Sequence, residues 1–185
     1  PKNETSLSKG FVTAILEDKA GSLWIATTGG LNQLDIRTGV FSHFPNNSKD
    51  SDDHTENKFT ALLKEHSGNL WLGTENGHLH RFDPRTKIFK HFRCGFEMGS
   101  IVEDHENILW VGTSTGLYRS NKAVDSFSRV INPDIALTAS TIVAGILEDD
   151  QENIWVSSAA GILQFSRSRN EIRVYNTNQG VDAAG

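Results

Sequence analysis

Cysteine is almost absent from this 185-residue chain. Cys94 stands alone, which excludes an internal disulfide and a cysteine-held metal cluster. No apolar run reaches the 18 residues of a membrane-spanning helix, so a membrane enters this reading only through segments of a longer parent protein. Nor does any cluster of Lys and Arg interleave with aromatics. With a net charge of −5, nucleic acid is not an expected partner. No signal peptide opens the chain, and Pro1-Lys2-Asn3-Glu4-Thr5 reads as the interior of something longer. A nucleophile motif of the Gly-x-Ser-x-Gly kind is missing too, and Cys94 has no evident His partner. The expectation is therefore no catalytic residue, no metal and no cofactor.

Tryptophan, by contrast, is present, and its placement organises the chain. Its four copies all fall in one recurring motif: Leu23-Trp24-Ile25-Ala26-Thr27, Leu70-Trp71-Leu72-Gly73-Thr74, Leu109-Trp110-Val111-Gly112-Thr113 and Ile154-Trp155-Val156-Ser157-Ser158. The intervals are 47, 39 and 45 residues, the signature of an internal repeat. Aligned on Trp, the position six earlier is Asp18, Glu65, Asp104 or Asp149, and a carboxylate there suits a turn whose backbone N–H groups need an acceptor. Three positions after Trp comes Thr27, Thr74, Thr113 or Ser158, a hydroxyl fit to tie down neighbouring backbone. Six positions after it comes Gly30, Gly77, Gly116 or Gly161, which implies a backbone conformation or a close approach that a Cβ would block.

Each repeat reads as four short strands. In the first, Phe11 to Leu16 is β-branched and apolar, Leu23 to Thr27 follows a turn, and Leu31 to Asp35 alternates apolar and polar. Val40 to Phe44 then places its two Phe residues on one face. The repeats span about 11–44, 59–92, 99–130 and 141–175, within a single domain over 1–185. Antiparallel four-stranded units of about 40 residues are the blades of a β-propeller, so the fold class is all-β, a partial propeller with Trp filling the gap between adjacent blades. Propellers have about 4–8 blades, so in a larger parent ring four do not suffice for closure, and the blade faces left open should drive self-association.

The formula Ile15-Leu16-Glu17-Asp18, Leu23 to Thr27, Gly30-Leu31, repeated as Ile101-Val102-Glu103-Asp104, Leu109 to Thr113, Gly116-Leu117, resembles the two-component regulator propeller repeat. It differs from WD40, because no Gly-His and Trp-Asp pair frames each unit. Lys64-Glu65 and Ser157-Ser158 depart from the pattern in the second and fourth copies. The resemblance implies the periplasmic, ligand-sensing part of an inner-membrane-anchored receptor. In such a receptor a sandwich, one membrane helix and a histidine kinase or diguanylate cyclase follow the propeller. It also implies oligosaccharide as the ligand class, and Asn178-Gln179-Gly180-Val181-Asp182 looks like the lead into a further blade. A scaffold propeller that binds a protein partner is the alternative.

Propeller ligands usually meet one end of the central channel, at the turns joining second and third strands. Here those are Thr28-Gly29, Glu75-Asn76, Ser114-Thr115 and Ala159-Ala160, with inter-blade loops around 45–57, 93–99 and 131–140. Thr28, Gly29, Glu75, Asn76, Ser114 and Thr115 are the candidate ligand contacts. Trp24, Trp71, Trp110, Trp155 and the four glycines are structural. Two histidines, His78 and His80, lie two apart on one strand and would share a face, as zinc ligands can. Yet His43 and His91, and likewise His66 and His105, occupy equivalent repeat positions, which reads as repeat placement. The acidic stretch Asp50-Ser51-Asp52-Asp53-His54 reads as a solvated loop.

Overall fold

The computed structural model describes residues 6–18, 21–46, 57–131, 141–159, 161–166 and 171–175. The loop at Asp50–His54, most of the segments 45–57 and 131–140, Ala160 and the lead at 178–182 lie outside the described residues. The chain divides into two compact units, Pro1–Met98 and Gly99–Gly185.

The first unit holds two antiparallel meanders. One is β1 (Val12–Asp18), β2 (Ser22–Thr27), β3 (Gly30–Asp35) and β4 (Phe41–Phe44), hydrogen-bonded in that order. The other is β5 (Phe59–Lys64), β6 (Leu70–Thr74), β7 (His78–Asp83) and β8 (Ile88–Arg93). Pleating sends alternate side chains to opposite faces. One face of the first meander, with Trp24, Ala26 and Leu31, packs on Leu70, Leu72 and Phe82 of the second. The Trp24 ring meets Phe82 edge-on, with centroids 5.7 Å apart, so the indole fills the gap between sheets.

The second unit repeats the plan. Its sheets are β9 (Met98–Glu103, starting on the last residue of the first unit), β10 (Leu109–Thr113), β11 (Gly116–Ser120) and β12 (Phe127–Val130), then β13 (Val143–Glu148), β14 (Ile154–Ser158), β15 (Gly161–Ser166) and β16 (Glu171–Tyr175). Trp110 packs with Ile154, Val156 and Phe165 of the adjoining sheet. These four-stranded sheets, stacked face to face within each unit, are β-propeller blades.

The carboxylate six residues before each Trp has a role beyond the turn. It accepts the indole N–H: Trp24 to Asp18 at 3.2 Å, Trp71 to Glu65 at 2.6 Å, Trp110 to Asp104 at 2.7 Å and Trp155 to Asp149 at 2.6 Å. A buried indole needs such an acceptor. Asp104 and Asp149 also take two backbone N–H groups each, as the turn chemistry predicts. Glu65, one methylene longer, gathers side-chain donors instead, from Ser67, Asn69 and Arg81.

Register shifts mark bulges in β1, β5 and β13. In the first unit the bulged residue is a threonine that bonds two ways. Thr13 donates to Ala26 O (3.1 Å) and to Phe59 O of the next blade (2.9 Å). Thr60 reaches Gly73 O (3.3 Å) and Met98 O (2.7 Å). At the bulge in β13 the residue is Ala144, which has no hydroxyl to do this.

Candidate functional site

The hydroxyl closing each second strand organises the turn that follows. Thr27 donates to Gly30 O (3.0 Å) and accepts from Gly29 N (3.0 Å). Thr113 does the same with Gly116 O (2.9 Å) and Thr115 N (3.1 Å), and Ser158 donates to Gly161 O (3.0 Å). Gly30, Gly116 and Gly161 open their third strands at φ 139°, 134° and 116°, a region L-residues avoid.

The second blade departs from this pattern. Gly77 has the same spacing from its Trp, but the turn there is one residue longer. Glu75, Asn76 and Gly77 make the turn, and Thr74 bonds the carbonyl and amide of His78. Gly77 is therefore the last turn residue (φ 85°), and a Cβ on it would run into the Gly95 carbonyl.

In the first unit, Thr13 ties β1 to β5, so the Thr28-Gly29 and Glu75-Asn76 turns fall at one end, each beside the segment entering its inner strand. Thr28 exchanges two bonds with Phe11: Phe11 N to Thr28 Oγ1 and Thr28 N to Phe11 O, both 3.0 Å. Gly29 is exposed and lies so close to the Lys9 carbonyl that a Cβ would collide with it. The exposed Glu75 carboxylate pairs with Lys58 at 3.4 Å, and its carbonyl accepts from Glu97 N at 3.2 Å. The half-buried Asn76 accepts from Thr74 Oγ1 at 2.6 Å.

Two residues at this end escape a reading by composition. Phe11 is 83% exposed beside Thr28, and Phe96 is 61% exposed on the segment packed against Gly77. Phe11 reads as the first residue of an apolar strand and Phe96 as part of an inter-blade loop. Only the register, which starts β1 at Val12, turns the Phe11 ring out. In the second unit, Ser114 and Thr115 are half-buried, Ala159 is exposed, and Ile142, 53% exposed, stands beside Ala159 with its carbonyl bonded to Ala159 N.

The histidines serve several ends. His43 bonds Asn32 at 2.8 Å, and His80 faces His91 at 2.8 Å between Nδ1 atoms. His105 joins Glu148 (2.6 Å) and Glu152 (3.3 Å). Among the described residues no three His, Cys, Asp or Glu side chains are grouped to hold a metal ion. Burial pushes the Cys94 thiol up to about 12, which makes it a poor nucleophile. Hydrogen bonds from the Trp155 indole and from Asn153 hold the Asp149 carboxyl down at about 2.

Propeller blades are thus the class that the fold defines, and the turn-end surface is its exposed polar and aromatic feature. Residues 6–29 match the family model described as two component regulator propeller. No curated protein matches the chain. Among solved structures, the extracellular domain of a protein classed as a hybrid two component system of Bacteroides thetaiotaomicron is 21% identical. The match covers 93% of this chain and 24% of that one, with a TM-score of 0.75. The extracellular domain of a protein from the same organism classed as a one component system is 22% identical over 96% of this chain and 23% of that one, TM-score 0.71. A streptogramin B lyase is 14% identical over 95% of this chain and 58% of that one, TM-score 0.69. The chain spans about a quarter of the length of the first two. At these identities the likeness is one of fold, and it extends to a lyase as well as to extracellular domains of two component and one component systems.

Proposed function

We propose that this chain is part of the ligand-sensing propeller of a bacterial two-component-type receptor. It lies outside the cytoplasm, has no chemistry of its own, and answers to an oligosaccharide. The receptor would be anchored in the inner membrane by segments of the parent protein and would signal through a histidine kinase or diguanylate cyclase. The observation that carries the reading is the turn end of the first unit. There, two exposed aromatic rings, Phe11 and Phe96, stand beside Thr28, the Lys58–Glu75 ion pair and Asn76. Aromatic faces present apolar surface to the C–H face of a sugar ring, and the neighbouring charged and amide groups can bond its hydroxyls. The match of residues 6–29 to the two component regulator propeller model and the likeness to extracellular domains of two component and one component systems support the same reading. Glu75 is already engaged by Lys58, which supports a binding role for it over an acid–base one.

The test is calorimetric titration of this chain with a panel of short oligosaccharides. A sugar that binds the parent and loses affinity in Phe11→Ala, Phe96→Ala and Glu75→Ala supports the reading. Binding unchanged in all three removes this surface from it.

The partner role has its own support in the second unit. On the fourth blade Leu147, Ile162 and Tyr175 are 62%, 48% and 46% exposed. Leu31, the counterpart of Ile162 in the first blade, is only 1% exposed, beneath the second blade. A second copy of the chain is the partner we propose for this face, by the same sheet-on-sheet packing seen within each unit. Sedimentation should show concentration-dependent association that Leu147→Asp abolishes, and a monomer at all concentrations would refute it.

A further inference from the structure

Within each unit two blades meet, and the two junctions are filled differently. In the first unit five rings come together, Trp24, Phe44, Phe59, Phe82 and Phe89, with neighbouring centroids 4.7 to 6.5 Å apart. The equivalent rungs of the second unit carry Trp110, Val130, Val143, Phe165 and Ile172. Three phenylalanines have thus given way to smaller aliphatic residues, and smaller side chains leave space in a gap of the same design. A cleft of about 500 Å³ opens there, floored by Ile108, Trp110, Ile154, Phe165 and Ile172. We propose that this cleft binds a small carboxylate with a flat apolar body.

The lip of the cleft supplies the cation. Arg119 pairs in register with Trp110, its guanidinium carbon 5.9 Å from the indole centroid. Arg81 holds the same place in the second blade, 5.7 Å from Trp71, and there Glu65 meets it at 2.5 Å. The third blade has Asp104 instead, one methylene shorter. Its carboxylate accepts from the Trp110 indole at 2.7 Å and from the backbone N–H groups of Glu106 and Ile108, both at 2.9 Å. Arg119 keeps its place on the indole but has no ion pair among the described residues, and neither has Lys122 beside it on the lip. Arg167-Ser168-Arg169-Asn170, which follows Ser166 of the cleft in sequence, contains no carboxylate.

These features select the ligand. An apolar body entering between the blades leaves water for a floor of aromatic and branched side chains. A carboxylate at its end meets the planar fork of Arg119, whose geometry suits two parallel N–H bonds to one carboxylate. Ser120 lines the cleft too and is buried. Its oxygen accepts from Leu109 N at 3.0 Å, so its own proton is available to a ligand oxygen. Glu106 and Glu171 stand along the same cleft, Glu171 paired with Arg173 at 3.5 Å. Their charge opposes a second anionic group, which limits the ligand to a single carboxylate. The site belongs wholly to the second unit and holds whether or not the turn end of the first unit binds sugar.

The experiment is an NMR titration of the full chain with 3-phenylpropionate, followed at the Trp110 indole N–H, with 2-phenylethylamine as the cationic counterpart. The expected result is a saturable shift with the carboxylate and none with the amine. Arg119→Gln, which copies Gln33 and Gln164 at the same rung of the first and fourth blades, should weaken binding roughly tenfold or more. Ile172→Phe, which copies Phe89 of the second blade, should fill the cleft and abolish the shift. An unmoved Trp110 signal with phenylpropionate overturns the proposal. So does equal affinity in Arg119→Gln, or an amine that binds as tightly as the carboxylate. If either variant does not fold, the comparison of the two probes on the unmodified chain decides alone.

Discussion

Replacing Glu65 with Gln should destabilise the chain by about 2–3 kcal/mol at neutral pH, and the loss should vanish in acid. Glu65 is 4% exposed. Burial alone would raise its carboxyl. Hydrogen bonds from Ser67, Asn69, Trp71 and Arg81 overcome that and lower it from 4.5 to about 2. A fall of that size corresponds to about 3 kcal/mol of preference for the charged form in the folded state. Gln keeps an acceptor for the Trp71 indole but turns an amide donor toward the Arg81 guanidinium, which now sits 2.5 Å from the carboxylate. Arg81 is 31% exposed, so solvent takes up part of that loss. The sign of the pH dependence follows from the lowered folded-state value. The stabilisation is present above the unfolded value of about 4.5 and disappears as pH falls toward about 2. Urea unfolding followed by tryptophan fluorescence, run on both proteins from pH 7 to pH 2.5, measures the gap. Equal stabilities at pH 7 would refute the carboxylate's role, and a gap that stays constant down to pH 2.5 would refute its electrostatic origin.

Other substitutions probe the rest of the framework. Trp71→Ala, at a fully buried indole, should cost about 3–5 kcal/mol by the same denaturation assay. Thr60→Val removes both bonds of the β5 bulge hydroxyl and should cost about 1–2 kcal/mol. Gly77→Ala should lower the melting temperature clearly, since its positive φ and the Gly95 carbonyl both oppose a Cβ. Cys94 should react with a thiol reagent at pH 8 only after unfolding, because burial holds the thiol protonated; rapid labelling of the native chain would contradict its burial.

Much of the fold is legible in the recurring residues, since a strand is bounded by its turn chemistry. Thr27 and Gly30, or Thr113 and Gly116, bracket their hairpins where spacing from Trp puts them. Less legible is anything set by register. The longer Glu75–Gly77 turn hides behind an unchanged Trp-to-Gly interval, because the extra turn residue is taken from the strand that follows. Thr13 and Thr60 read as ordinary strand residues until the bulge turns the Thr13 hydroxyl toward Phe59 of the next blade and the Thr60 hydroxyl toward Met98. The acid six residues before Trp reads as a turn acceptor, and its bond to the indole appears only when β1 pairs with β2. The candidate site was half visible. Composition locates polar turns such as Glu75-Asn76, but the outward rings of Phe11 and Phe96 depend on where the pleat begins.

The central claim is that these blades belong to a membrane-anchored sensor, and the coding sequence on either side of these 185 residues tests it most directly. The account predicts further Trp-centred repeats, then one apolar run of about 20 residues and a kinase or cyclase domain. Stop codons close on both sides, with no apolar run between them, would contradict it.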